Sequence, residues 1–240
     1  MRLIVPNQMS EIKLADYQKF IRLEGDEEFL SRKAIEIFCG LSMDVILKMK
    51  ASSLQKTAGV LSKAFTEKPA FQQRFTIGKQ EFGFIPSLDE ITVGEFNDLD
   101  EYITDFQQMH KAMAVMYRPV TARLANRYDI EEYQGTSKYA DLMKAAPLNV
   151  VIGAMVFFWT LGKDLSLASL TSLAKESQMN LAPLRNLLKN GDGFLYTTNS
   201  LAEMLSSLKP LPNSQQHSHS PTSRLRKTAL TLREESLKNN

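Results

Sequence analysis

The stretch "LNVVIGAMVFFWTL", Leu148 to Leu161, constrains the fold more than any other part of the chain. It carries no charged residue. A membrane span needs about 20 apolar residues, so this run is too short to cross a bilayer. A run this short marks a core helix, so it predicts a buried helix and no membrane association. Pro147 suits the first turn of that helix, where its missing N–H is one the turn leaves unpaired in any case. The pattern continues the helix through "GKDLSLASLTSLAKE", with a weak point at Gly162. A chain of 240 residues is long enough to bury such a core.

The segments before it supply the helices that cover it. "RLIV" reads as a short strand stopped by Pro6. Its apolar patch is too short for a secretory signal. "KLADYQKFIRL" puts Leu14, Tyr17 and Ile21 at helical spacing. "EEFLSRKAIEIFCG" continues with Phe29, Leu30, Lys33 and Ile37 and ends on Gly40, a helix-stopping glycine. "SSLQKTAGVLSKAFTEKP" carries Leu54, Ala58, Leu61 and Phe65 on one stripe.

The period then changes. "RFTIGKQEFGFIP" alternates, and Gly78-Lys79 between its halves predicts a hairpin with a type II′ turn. Pro86 closes the second strand. "SLDEI" crosses to "TVGE", Thr92 to Glu95, which has the form of a capping box. This passage, "FIPSLDEITVGEF", echoes "IVPNQMSEIKLADY" near the N-terminus, although Lys13 there lacks a capping hydroxyl. Both copies place an aromatic residue, Tyr17 or Phe96, on a first helical turn, where it is expected to fold back on the preceding chain. "GEFNDLDEYITDFQQMHKAMAVMY" reads as one long helix with acids first and bases last, the order the helix dipole favours. Pro119 is expected to break it. "RPVTARLANRYDIEEYQGTS" reads as a short helix, a start signal at Asp129 and a loop at Gly135. "KYADLMKAA" is amphipathic.

The fold expected is mainly α: a helical bundle with a small β-hairpin or short sheet near residues 72–85 and a disordered C-terminal tail. The divisions are 1–70, an N-terminal helical part with its opening strand; 71–209, the hairpin and main helical part; and 210–240, a polar tail with three prolines and no aromatic residue.

Chemistry is sparse. The only cysteine, Cys39, makes no internal disulfide. Of three histidines, His217 and His219 lie in the tail, and His110 is set in a helix. Neither a metal site nor a Ser-His-Asp apparatus assembles from these. Phosphate-loop and dinucleotide glycine motifs are absent. The acids Asp89, Glu90, Glu95, Asp98, Asp100 and Glu101 read as helix-start acids, with a carboxylate metal site as the sharper alternative. Net charge is +2, and the basic tail has no interleaved aromatics, so nucleic-acid binding is not expected. No enzyme activity and no cofactor are expected. Met109, Met113 and Met116 read as core or, with Tyr117 and Arg118, as an adaptable partner-binding surface. Arg118 is expected to cap carbonyls or to pair with Glu131 or Glu132.

The ordered set "EIKLADYQKF", "FGFIPSLDEITVGEFNDLDEY", "MHKAMAVMYRPV", "YDIEEYQGT" and "VVIGAMVFFWTLGKDL" resembles tail-assembly-chaperone-like proteins of tailed bacteriophages, over Val5 to Leu165. The resemblance implies a non-catalytic viral assembly factor in the host cytoplasm. Such a protein binds the tape-measure protein and tail-tube subunits through protein–protein contacts, and a homo-oligomer is compatible with it. A virion component of the baseplate, neck or portal is the alternative.

Overall fold

The computed structural model describes residues 3–161, except Glu67 and Asn126. The helix expected beyond Gly162, the 210–240 tail and a further sequence with capping-box form, "SLAE" at Ser200 to Glu203, lie outside the described residues. The described part is mainly helical with a small antiparallel sheet.

The N-terminal helices follow the apolar stripes. They are α1 (Leu14–Ile21), α2 (Glu27–Cys39), α3 (Met43–Leu47) and α4 (Ala51–Ala64). Asp26 caps α2 by accepting the Phe29 N–H. Gly40 ends α2 at φ 64°, a left-handed conformation that costs a glycine little. On α2 the fully buried residues are Ala34 and Ile35, while Ile37 of the expected stripe packs half-buried against the core. On α4 they are Thr57, Ala58, Leu61 and Ala64. Residues 3–5 form no strand: they are irregular and lead into a 3-10 turn at Met9–Glu11.

The hairpin is β1 (Arg74–Ile77) and β2 (Gln80–Phe84), with Phe75 opposite Phe82. Gly78 sits at φ 61° while Lys79 keeps a negative φ, as a type II′ turn requires. After a second 3-10 turn at Leu88–Glu90, α5 (Val93–Ile103) starts at the Thr92 cap. The two echoed phrases therefore share one device: a proline, a 3-10 turn, an extended isoleucine and a helix. Tyr17 is buried and packs edge-on against Phe106, but Phe96 stays 42% exposed and does not fold back.

The long helix expected from Gly94 to Tyr117 is two helices. Asp105 caps a 3-10 turn at Phe106–Gln108 by accepting the Gln107 N–H, and α6 (Met109–Met116) follows. At Tyr117 the backbone switches directly to strand, with φ −124° and ψ 124°. The expected short helix after Pro119 is instead a second hairpin, β3 (Tyr117–Leu124) and β4 (Arg127–Ile130), and Asp129 lies in its second strand rather than at a helix start. The strands follow sequence order, β1-β2-β3-β4. Pro119 fits inside β3 because its carbonyl faces the β4 side, where it accepts from Glu131 N–H. In a strand a residue's N–H and C=O point the same way, so the missing N–H breaks no bond to β2.

A short α7 (Ala140–Met143) leads to the apolar run, which is helical over 148–161 (α8). Leu148, Val150, Val151, Ala154, Met155 and Phe158 are buried, but the helix is not buried on all sides: Val156 is 37% exposed and Phe157 and Trp159 are half-buried. Among the described residues no helix is long and apolar enough to cross a membrane. The core is one cluster that joins residues of α1, α2 and α4 to those of the sheet, α6 and α8. Gly153 lets α8 approach the 70–71 backbone, since a Cβ there would lie 2.6 Å from the Ala70 carbonyl oxygen.

Two glycine substitutions separate close packing from backbone freedom. Gly153→Ala is expected to lower unfolding free energy by about 1–3 kcal/mol, through overpacking against rigid backbone. Gly94→Ala, in open space on α5, is expected to raise it by about 0.4–1 kcal/mol. Urea unfolding of the two variants measures both, and equal effects of the same sign would refute the assignment.

Candidate interaction site

The polar centre of the molecule is built on the first turn of α5. Thr92 Oγ1 accepts the Glu95 N–H at 3.2 Å, and Glu95 Oε2 accepts both the Thr92 N–H and its hydroxyl at 2.7 Å. The second carboxylate oxygen, Oε1, faces the Arg118 guanidinium at 2.5 Å. Both partners are buried, Glu95 to 3% exposure and Arg118 to 8%. Arg118 lies on β3 opposite Gly83 of β2, so this ion pair fastens α5 to the sheet. It also lies over the Tyr133 ring, 5.6 Å from the centroid, a cation–π contact.

The neighbouring groups are tied to one another. The Tyr133 hydroxyl donates to Asp98, and burial, followed by the Asp98 carboxylate, pushes its ionisation far above the usual tyrosine range. Glu131 accepts from Lys138 and from the Tyr139 hydroxyl. Those bonds, the Lys138 one first, hold its carboxyl below the usual range. The space beside Arg118, Tyr133 and Lys138 is about 10 Å³, room for about one water molecule. No small-molecule substrate fits at this cluster.

The sequence-derived partner residues do not form a surface. Met109, Met113, Met116 and Tyr117 are each 0% exposed. Helix α6 lies between α5 and α7, which cover it. The Tyr117 hydroxyl donates to the Gln72 carbonyl at 2.6 Å, pinning β3 to the chain before β1. These side chains are core and cannot touch a partner in the folded protein. Arg118 pairs with Glu95, not with Glu131 or Glu132, and its carbonyl-capping alternative is also displaced. The acids at the start of α5 disperse: Glu95 to Arg118, Asp98 to Tyr133. Among the described residues no three His, Cys, Asp or Glu side chains are grouped to hold a metal ion. Cys39 is half-buried, and burial pushes its thiol up to about 11, far from a reactive thiolate at neutral pH.

The surface feature that sequence reading missed is a groove of about 790 Å³. Its walls are the 85–88 connection and the 127–129 segment of β4, and its floor is Phe71, Phe84 and Phe157. Phe71 stacks on Phe157 with centroids 4.2 Å apart, and Phe84 meets both edge-on at 4.9 and 5.6 Å. Gln73, Arg127 and Asp129 supply polar groups at the rim. The volume falls within the roughly 300–1,000 Å³ typical of ligand pockets. Its parts come from four separated segments, so no local motif announces it. Exposed Val93 and Phe96 on α5 and Leu124 on the second hairpin are further apolar side chains at the surface. Comparisons with protein-family profiles, curated proteins and solved structures return no match for this chain.

Removing one member of the buried ion pair strands the other. Arg118→Met is expected to cost about 3–5 kcal/mol of stability in urea unfolding. Thr92→Val, which removes only the cap hydroxyl, is expected to cost about 1 kcal/mol. The double variant Glu95→Met with Arg118→Met is expected to lose less than Arg118→Met alone, because no buried charge remains. Additive losses would show that the pair is not coupled.

Proposed function

We propose that this chain is a non-catalytic assembly factor of a tailed bacteriophage: a chaperone that holds apolar stretches of the tape-measure protein and helps bring tail-tube subunits to it in the host cytoplasm. The observation that carries this reading is the open groove floored by Phe71, Phe84 and Phe157. It offers aromatic surface to apolar side chains of another protein, while the carboxylates of the neighbouring polar cluster are engaged with Arg118, Tyr133, Lys138 and Tyr139. The ordered phage-like motifs supply the family part of the argument, and the groove supplies the physical part. In this reading the helices act as a bundle-like body that presents the groove, and the client's apolar residues lie along its floor.

Copurification from cells expressing the full chain with tape-measure fragments tests the proposal. The wild-type chain is expected to retain a fragment rich in apolar helical sequence. Gln73→Trp fills the groove from an exposed position and is expected to weaken retention by about tenfold, or about 1.4 kcal/mol. Absence of any retention by the wild-type chain sinks the reading. Mass spectrometry of purified particles separates the chaperone from a structural component: abundant copies in mature virions favour the baseplate, neck or portal alternative.

A further inference from the structure

Helix α1 is held to the turn before α6 by a compact set of hydrogen bonds. The Gln18 side-chain amide donates to the Phe106 carbonyl at 2.8 Å and to the Gln107 carbonyl at 3.0 Å. In return Gln107 Nε2 donates to the Gln18 carbonyl at 3.2 Å, and Arg22 Nε donates to Gln107 Oε1 at 2.5 Å. Two carbonyls facing the Gln18 nitrogen fix that atom as the NH₂ group. His110 Nδ1 lies 3.4 Å from the same nitrogen. Both hydrogens of that nitrogen are directed to the two carbonyls, and a neutral ring, protonated at Nε2, sets only a lone pair beside it. A charged ring must carry a proton at Nδ1, where it meets a donor instead of an acceptor.

We propose that His110 makes the α1–α6 joint sensitive to acid: on gaining a proton at Nδ1, the ring competes with Gln18 for the Gln107 carbonyl and loosens α1 from the turn. This goes beyond the assembly-factor reading and does not depend on it. The atoms balance simply, since a solvent proton is taken up at Nδ1 and one hydrogen bond is exchanged for another. The charged groups around the ring come from each element that meets it. Lys111 on α6 and Lys144 after α7 oppose the added charge, and Asp141 on α7, bonded to Lys144, favours it. Arg22, just past the end of α1, is already engaged with Gln107. The Gln107 carbonyl is the backbone acceptor that favours the charged ring.

Burial first, then Lys144 and Lys111, hold the His110 pKa below its ordinary value. The folded state thus prefers the neutral ring. This contribution is fully present above the unfolded histidine pKa, near 6.5, and is lost as pH falls through the folded value. Loosening α1 uncovers Tyr17 and Phe20, which are buried against Phe106, Phe65 and Phe38.

Hydrogen exchange on the full chain at pH 7.5 and pH 5.5, corrected for intrinsic rates, tests the proposal. Amide exchange in α1 is expected to accelerate by about threefold or more at the lower pH in the wild type, and by less than that in His110→Gln, whose side chain carries no titratable proton. His217 and His219 are present in both proteins, so their titration cancels. An equal acid response in the two proteins overturns the proposal. An NMR titration in which His110 gains its proton at or above the free-histidine pKa also overturns it.

Discussion

One carboxylate sets the architecture around the sheet. Glu95 completes the capping box of α5 through Oε2 and neutralises Arg118 of β3 through Oε1. A buried arginine is tolerable only with a close counter-charge, and a buried glutamate is subject to the same demand. The two requirements meet at one point, so the start of α5 is fixed relative to β3. From there the chain positions follow: Tyr133 stacks on Arg118, Asp98 binds Tyr133, and the 131–139 segment is drawn against α5. The cap stabilises a helix locally, and the same atoms join that helix to a strand more than twenty residues away in sequence.

Local signals in the sequence were legible where the physics is local. The Gly78 turn, the Thr92–Glu95 box and the Gly40 stop each depend on a few consecutive residues, and each appears as read; the apolar run is a helix as read, but one face of it stays open. The long-range choices were not. Thr104-Asp105 interrupts a helical pattern because Asp105 prefers to cap the next turn, a competition between side chain and backbone that periodicity does not weigh. "RPVTARL" reads as a short helix after the break at Pro119, with Arg118 capping carbonyls or paired with Glu131 or Glu132. It becomes a strand because Glu95 waits on α5, a partner that no window around Arg118 contains. The partner-binding reading of the methionines failed for a related reason. Their pattern specifies a buried stripe or an adaptable one equally well, and only the placement of α5 and α7 on either side of α6 decides.

The groove belongs to the same class of long-range outcome. Phe71 precedes the sheet, Phe84 ends β2, Phe157 lies on α8, and the opposite wall is β4. Gly153 is what brings α8 close enough to the 70–71 backbone for Phe157 to stack on Phe71. A surface of this kind is assembled by packing, so its chemistry becomes visible only after the helix–backbone approach is known.

The echoed phrases show how a missing local signal is supplied from a distance. At Thr92 the free N–H groups of the helix start find a side chain. At Lys13 there is no capping hydroxyl, and the side chain makes no cap. The first N–H groups of α1 are satisfied instead by backbone carbonyls from after α7: Leu14 donates to Ala146 at 2.9 Å and Ala15 to Lys144 at 2.9 Å. Leu148 returns a bond to the Ile12 carbonyl at 2.8 Å. Unpaired groups at a helix start must find partners, and here the carbonyls left over past the end of one helix serve the start of another. The weaker copy of the phrase therefore has the wider structural consequence. Because Lys13 cannot cap its own helix, the N-terminal segment is tied to the first residues of α8, and the apolar helix that the fold is built around acquires its cover from the far end of the chain.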